Sequence, residues 1–232
     1  MQLRVSEVAN LLKVPEKTVY LWIKKRNLPA MKIGGQYLLE EEGLLEWANV
    51  NKISLPSGLF SDPGLPETSL ADAIKAGGIH YEVEGTGKES VLKAVLDLIP
   101  LPGNMDKSVL FQVLMARESA GSTGIGDGIA IPHVRSPIVM KVPKPIISLC
   151  FLKKPIEYKA LDGKPVGVIF MMVCPSIPSH LGLLSKLAYA LRKTGFSEAV
   201  DQKWDPDEII ARAAEIDQAI RDSSGSQGEI VK

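Results

Sequence analysis

The sequence predicts an α/β body preceded by a small, mostly helical head, and three features carry that prediction. Residues 51–69, NKISLPSGLFSDPGLPETS, lose periodicity and gather proline, glycine and serine, the composition of a linker. Residues 146–152 and 166–173 are continuous apolar runs, as expected of central strands covered on both faces. Around them apolar residues recur at helical spacing, so helices are expected to pack against a sheet. The predicted divisions are a head over 1–50, a linker over 51–69, a body over 70–221 and a flexible tail over 222–232, where DSSGSQGEIVK holds too few apolar residues to pack.

In the head, Arg4, Lys13, Lys17, Lys24, Lys25, Arg26 and Lys32 face only Glu7 and Glu16 as far as residue 39. Ser6 is predicted to cap a short helix burying Val8, Leu11 and Leu12, and Val14-Pro15 to break it before a second helix over 16–26. That helix turns Val19, Trp22 and Ile23 inward. Its other faces carry Lys17, Tyr20 and Lys24 at helical spacing, with Thr18, Leu21 and Lys25 beside them, a surface suited to phosphates and base edges. Residues 31–39 form a predicted hairpin around Gly34-Gly35, and residues 41–50 a closing helix with Leu44, Leu45 and Trp47 inward. A solvated basic face that binds protein rather than DNA is the competing reading of the same residues.

In the body, a first helix over 69–76 with Leu70, Ala73 and Ile74 inward precedes a short strand over 79–83. Gly85-Thr86-Gly87-Lys88 lacks the earlier glycine and the following Ser or Thr of a nucleotide loop. Thr86 and Glu89 instead make a predicted capping box for a helix carrying Val91, Leu92, Val95 and Ile99. Asp106 begins another helix, whose inward face runs Leu110, Val113, Leu114 and Arg117. A cation ending an apolar face just before a glycine-rich loop is placed to bind an anion held there, although a snorkelling arginine at a helix terminus also fits.

The densest functional signal is residues 119–135, SAGSTGIGDGIAIPHVR. Gly121, Gly124, Gly126 and Gly128 permit tight turns that aim successive N–H groups at one point, as in phosphate cradles. Ser122, Thr123, Gly124 and Gly126 are therefore the expected phosphate-binding residues. His133 follows Pro132, whose fixed φ limits the approach to the imidazole. Asp127, the loop's only acid, fits a turn former better than a partner of the His133 ring. Ser176 or Ser179 is predicted to cap a helix burying Leu181, Leu184, Leu187, Ala188 and Leu191, which puts His180 in its first turn at the carboxyl end of a central strand. A neutral His180 there can donate to a phosphoryl oxygen, and an exposed first-turn histidine is the alternative. His80, beside Tyr81, is expected to be structural. Neutral imidazole is a competent nucleophile near pH 7, and phosphoryl transfer asks the protein mainly for positioning and charge stabilisation.

Composition limits the remaining classes. With 232 residues, 45% of them hydrophobic, the chain can build one or two cored domains. Its 27 basic and 27 acidic residues cancel, so no global field announces nucleic acid or membrane. MQLRVSEVANLL has no long apolar signal region and the apolar runs are too short to span a bilayer, which predicts a cytoplasmic protein without membrane insertion. Cys150 and Cys174 lack ligand-like spacing and are expected to be buried and reduced.

Through EVANLLKV, KTVYLWIKK, LPAMKIGGQYLL and LLEWA, the head resembles helix-turn-helix domains of the excisionase and MerR-like type. The resemblance implies a winged helix-turn-helix with its recognition helix over 16–26, a wing at Gly34-Gly35, and DNA contacts from Lys17, Thr18, Tyr20, Lys24, Lys25 and Lys32. Gln36, Leu38 and Leu39 stand after the glycine pair, where arginines are frequent in this type.

Through LMARESAGSTGIGDGIAIPHVR, PIEYKALDGKPVGVIFMMVCP and SHLGLLSKLAYALR, most of the body resembles the type-2 enzyme IIA domain of the bacterial phosphotransferase system, in its fructose, mannitol and nitrogen-regulatory branch. That resemblance implies a mixed sheet flanked by helices, with His133 as phosphoryl acceptor and Arg117 and His180 beside it. The implied donor is an HPr-like phosphocarrier protein fed from phosphoenolpyruvate. The expected protein is a phosphohistidine carrier rather than a multiple-turnover enzyme, needs no cofactor and no metal, and couples its phosphorylation to regulation through DNA. Competing roles are a fructose or mannitol transport component that passes phosphate to a IIB partner, and a regulator that binds proteins without DNA. A homo-oligomer is compatible with any of these.

Overall fold

The computed structural model describes residues 2–51, 53, 68–103, 105–134 and 142–225. It divides into two compact units, Met1–Leu59 and Phe60–Lys232. Of the predicted linker, residues 52 and 54–67 lie outside the described residues, as do 226–232 of the predicted tail.

The head runs β1 (Gln2–Arg4), α1 (Val5–Leu11), α2 (Glu16–Lys25), β2 (Met31–Ile33), β3 (Gln36–Glu40) and α3 (Glu41–Val50). Strand β1, too short to show alternation in sequence, pairs antiparallel with β3 and completes the order β1-β3-β2. Helix α1 consequently starts before Ser6: Arg4 is its N-cap residue, and its N–H donates to Glu7 Oε2 at 2.6 Å. The predicted hairpin is present, and Gly34 and Gly35 both take left-handed φ, 57° and 84°, as a two-residue turn between twisted strands requires. Val8, Val19, Leu39, Leu44 and Leu45 fill the core. Trp47 fastens α3 to the end of α2, its ring packing tilted 5.1 Å from that of Trp22 and its indole N–H donating to the Arg26 carbonyl at 2.7 Å.

The body runs α4 (Leu70–Gly77), β4 (Ile79–Val83), α5 (Lys88–Leu98), α6 (Lys107–Ala120), β5 (Gly124–Gly126), β6 (Ile129–Ala130), β7 (Ile146–Ile156), β8 (Val166–Val173), α7 (Ile177–Ala190), α8 (Thr194–Asp201) and α9 (Pro206–Gly225). Its strands form one mixed sheet in the order β4-β7-β8-β6-β5. The pairs β4/β7 and β6/β8 are parallel; β7/β8 and β5/β6 are antiparallel. The two apolar runs are therefore its central strands. Ile169, Met171 and Val173 of β8 pack with Val91, Leu92 and Val95 of α5 and Leu110 and Leu114 of α6. Phe170, pointing the other way, meets Phe196 of α8 at 6.4 Å, so helices cover both faces.

Ser69 caps α4, accepting from the Asp72 N–H at 3.0 Å. Asp217 of α9 completes that cap by accepting the Leu70 and Ala71 N–H groups, each at 3.0 Å. Two predicted boundaries are corrected. Helix α5 starts at Lys88 without the Thr86/Glu89 box, because Ser90 Oγ accepts the N–H groups of Thr86 and Gly87 at 3.0 and 3.1 Å. Residues 222–225 belong to α9, whose inner face of Ile209, Ala213, Ile216 and Ile220 carries the helix into the predicted tail.

Candidate functional site

The glycine-rich segment folds as a hairpin, β5 to β6, rather than as an open loop. Gly126, Asp127 and Gly128 take positive φ of 101°, 50° and 74°, so Asp127 is a turn former. Gly124 serves close approach: a Cβ there would lie 2.8 Å from that of Ala160. After β6 the chain continues alongside β8, with the Met172 N–H donating to the Pro132 carbonyl at 2.9 Å and His133 bridging Met172 in parallel. His133 thus stands at the carboxyl end of β8.

From that same end the chain turns into α7. Ser176 caps it, its Oγ accepting from the Ser179 N–H at 3.3 Å, and His180 lies in the first turn. The two imidazoles meet there with ring centres 4.9 Å apart and planes tilted by 42°. Each residue is 2% exposed, which removes the reading of His180 as an exposed histidine. His133 Nδ1 lies 2.8 Å from the Ile131 carbonyl oxygen. A carbonyl only accepts, so this contact requires the proton on Nδ1 and leaves the lone pair on Nε2.

Arg117 ends the inward face of α6 and is buried, donating from Nη1 to the Gly121 carbonyl at 2.9 Å. Its charge also bears on the Tyr158 phenol. Gly121 precedes β5 and His133 follows β6; because Gly124 pairs with Ala130 and the Ile131 N–H donates to the Thr123 carbonyl, both stand toward the open end of the hairpin, opposite its turn at 126–128.

The hydroxyls of Ser122 and Thr123, expected in a phosphate cradle, both make hydrogen bonds within the fold. Ser122 Oγ donates to the Tyr158 carbonyl at 3.0 Å. Thr123 gives its N–H to both Glu118 oxygens, at 3.1 and 3.2 Å, and its hydroxyl to Oε2 at 2.5 Å. Gly124 and Gly126 are strand residues, and the Gly124 N–H donates to Ser122 Oγ at 3.2 Å.

The carboxylate at the centre of this network was not singled out in the sequence. Glu118 is 7% exposed and also receives Lys88 Nζ at 2.6 Å, while that ammonium lies 4.4 Å from the Tyr158 ring centre. Burial, then the Glu118 charge, pushes the Tyr158 phenol well above its ordinary range. The one signal for Glu118 was its place beside an inward-facing arginine at the end of a helix.

His80 holds a structural contact, its Nε2 3.2 Å from the Gly77 carbonyl. In the head, Lys17, Lys24, Lys25 and Lys32 are exposed, Tyr20 is 39% exposed and Thr18 is half-buried. Tyr37 brings α2 and the hairpin together: its ring lies 6.0 Å from that of Tyr20 and 5.8 Å from Lys32 Nζ. Among the described residues no helix is long and apolar enough to cross a membrane.

Comparison with known proteins gives two family matches. The model for the phosphoenolpyruvate-dependent sugar phosphotransferase system, EIIA 2, matches residues 73–215, and a helix-turn-helix domain model matches residues 3–51. A nitrogen regulatory protein of Pseudomonas aeruginosa is 39% identical over 126 residues, 53% of this chain and 79% of that protein. The fructose-specific EIIABC component of Bacillus subtilis is 30% identical over 135 residues, 57% of this chain but only 21% of that larger protein. Among solved structures, the nitrogen regulatory protein IIA-Ntr of Neisseria meningitidis superposes with a TM-score of 0.55 at 28% identity, covering 62% of this chain and 98% of its own.

Proposed function

Since the chain belongs to the phosphoenolpyruvate-dependent sugar phosphotransferase system EIIA 2 family, we propose that it is a regulatory phosphocarrier that accepts a phosphoryl group on Nε2 of His133 from an HPr-like phosphohistidine protein. The observation that carries this reading is the 2.8 Å contact between His133 Nδ1 and the Ile131 carbonyl. With Nδ1 protonated, the Nε2 lone pair forms the new P–N bond as the donor's P–N bond breaks, and the donor imidazole leaves with the bonding pair. The His133 ring keeps its Nδ1 proton, and the Ile131 carbonyl shares the positive charge that develops there.

His180, in the first turn of α7 and 4.9 Å from the His133 ring, is the proposed hydrogen-bond donor to a phosphoryl oxygen. Arg117 supplies the countercharge. Phosphoryl transfer of this kind needs positioning and electrostatics and no further chemistry from the protein. Incubation with phosphoenolpyruvate, enzyme I and an HPr-type carrier tests it: acid-labile phosphate appears on the wild type and is lost in His133→Ala. Incorporation that survives the substitution overturns the proposal.

The regulatory half of the reading rests on the helix-turn-helix match and the exposed cations of α2 and β2. Phosphorylation of His133 is proposed to alter DNA binding through Lys17, Thr18, Tyr20, Lys24, Lys25 and Lys32. A gel shift with genomic fragments at several salt concentrations tests this, because phosphate contacts make affinity fall steeply with salt. A His133→Ala protein whose DNA binding responds to the phosphodonor as the wild type's does would refute the coupling. The similarity to the Bacillus fructose component supports a second reading, transfer onward to a IIB partner. Movement of label from the phosphorylated protein to IIB favours that role.

A further inference from the structure

We infer that Glu118 is a positioning residue for His133, acting through Thr123 and Ile131 to hold the imidazole in the tautomer that carries its lone pair on Nε2. The inference rests on the phosphoacceptor reading and adds a residue to it.

Four consecutive contacts carry the argument. Lys88 Nζ binds Glu118 Oε1 at 2.6 Å. Glu118 in turn receives the N–H and hydroxyl of Thr123. The Thr123 carbonyl accepts the Ile131 N–H at 3.0 Å. The Ile131 carbonyl lies 2.8 Å from His133 Nδ1. The direction of that last carbonyl is what selects the tautomer.

Ile131 is fixed from two sides, by Thr123 through its N–H and by Met172 through the carbonyl of the next residue, Pro132. Met172 belongs to the central strand β8 and needs no further support. Thr123 stands just before β5, at the edge of the sheet, where a three-residue strand has little to hold it. Glu118 supplies what the edge lacks, tying the hairpin to the end of α6 and, through Lys88, to the start of α5. Charge-assisted hydrogen bonds of this kind are shorter and stronger than neutral ones, and a carboxylate so deeply buried is held firmly by the donors that make its burial tolerable. Partners one step removed from a reacting imidazole commonly fix its tautomer and ring orientation.

Glutamine at this position cannot serve Lys88 and both Thr123 donors together, since one carboxylate oxygen becomes an NH₂ group. The test is nitrogen-15 NMR of the His133 ring in unphosphorylated protein, at a pH where the ring is neutral, alongside single-turnover phosphorylation by an HPr-type carrier. Wild type shows the Nδ1–H tautomer. Glu118→Gln, with a retained native spectrum, shows a tautomer mixture and phosphorylation slower by about tenfold. Thr123→Val keeps the backbone N–H and loses the hydroxyl's contacts with Glu118 and the Tyr158 hydroxyl, and it shifts both readouts in the same direction by less.

A folded Glu118→Gln protein with the wild-type tautomer overturns the inference, whatever its rate. If that variant does not fold, wild-type tautomer in Thr123→Val does the same. Failure of the phosphoacceptor reading is distinguishable, because wild type then takes no phosphate while the tautomer measurement still reports on Glu118.

Discussion

His133 and Ile131 are joined by a hydrogen bond of 2.8 Å between the ring Nδ1 and the carbonyl oxygen two residues earlier. It makes a nearly symmetric ring into one with a donor on one side and a nucleophile on the other. The contact is available because the chain runs extended beside β8 through Pro132, whose own carbonyl accepts the Met172 N–H. The sheet thus orients the imidazole directly.

Arg117 donates to the Gly121 carbonyl at 2.9 Å while lying buried beside the hairpin. Arg117→Met is predicted to slow phosphoryl transfer from an HPr-type carrier by about 10²-fold or more, the usual loss for a donor to developing charge. Arg117→Lys recovers only part of the rate, because lysine lacks the planar fork. Single-turnover kinetics checks both, and a wild-type rate in Arg117→Met would reduce the arginine to a cap on Gly121.

Gly124 and Gly121 are predicted to behave differently although they stand in one motif. Gly124→Ala forces a methyl group to 2.8 Å from Ala160 Cβ and 2.9 Å from its Cα, and is expected to cost about 1–3 kcal/mol through overpacking. At Gly121 a Cβ meets nothing within 4 Å and the backbone is extended, so Gly121→Ala should fall within about 0.5 kcal/mol of wild type. Urea unfolding compares them, and equal costs would show the packing argument to be wrong.

Asp217 accepts the first two N–H groups of α4 and lies 3.4 Å from Lys186 Nζ, with both side chains largely buried. Asp217→Ala leaves those donors and a buried ammonium without their carboxylate, a loss of about 3 kcal/mol or more in the stability of the body. Asp217→Asn keeps one acceptor oxygen and should lose less. Denaturation followed by the Trp204 signal measures both variants.

Cys150 and Cys174 are buried in β8's neighbourhood, and burial pushes each thiol up to about 12. In the native protein the thiolate fraction near pH 8 should therefore be about 10³-fold below that of an open cysteine, and a thiol reagent should react only on unfolding. The linkage has a definite sign. Between about pH 9 and 12 the unfolded chain has lost thiol protons that the folded chain retains, so stability falls as pH rises through that window. A native protein that titrates two thiols rapidly would contradict the burial.

Much of this architecture was legible because its signals are local. Continuous apolar runs exposed the central strands, Asp106 and Ser69 announced helix starts, and Gly34-Gly35 announced a two-residue turn. The pairing of His133 with His180 was expected through the body's resemblance, and both lie beside the carboxyl end of β8. Elements too short to show a period, β1, β5 and β6, were missed. The tight turns of the glycine segment were visible in sequence, but the pairing of Thr123 with Glu118 was not, because it spans the end of α6 and an edge strand. Lys88 is 30 residues from Glu118 in sequence and Tyr158 is 40, so no local pattern could join them.

The most direct test of the account is to phosphorylate the full chain with phosphoenolpyruvate, enzyme I and an HPr-type carrier, and to locate the phosphoryl group by phosphorus and nitrogen NMR. The account predicts a single phosphoryl group on Nε2 of His133, absent in His133→Ala. Phosphate on Nδ1, on His180, or persisting in His133→Ala would contradict it.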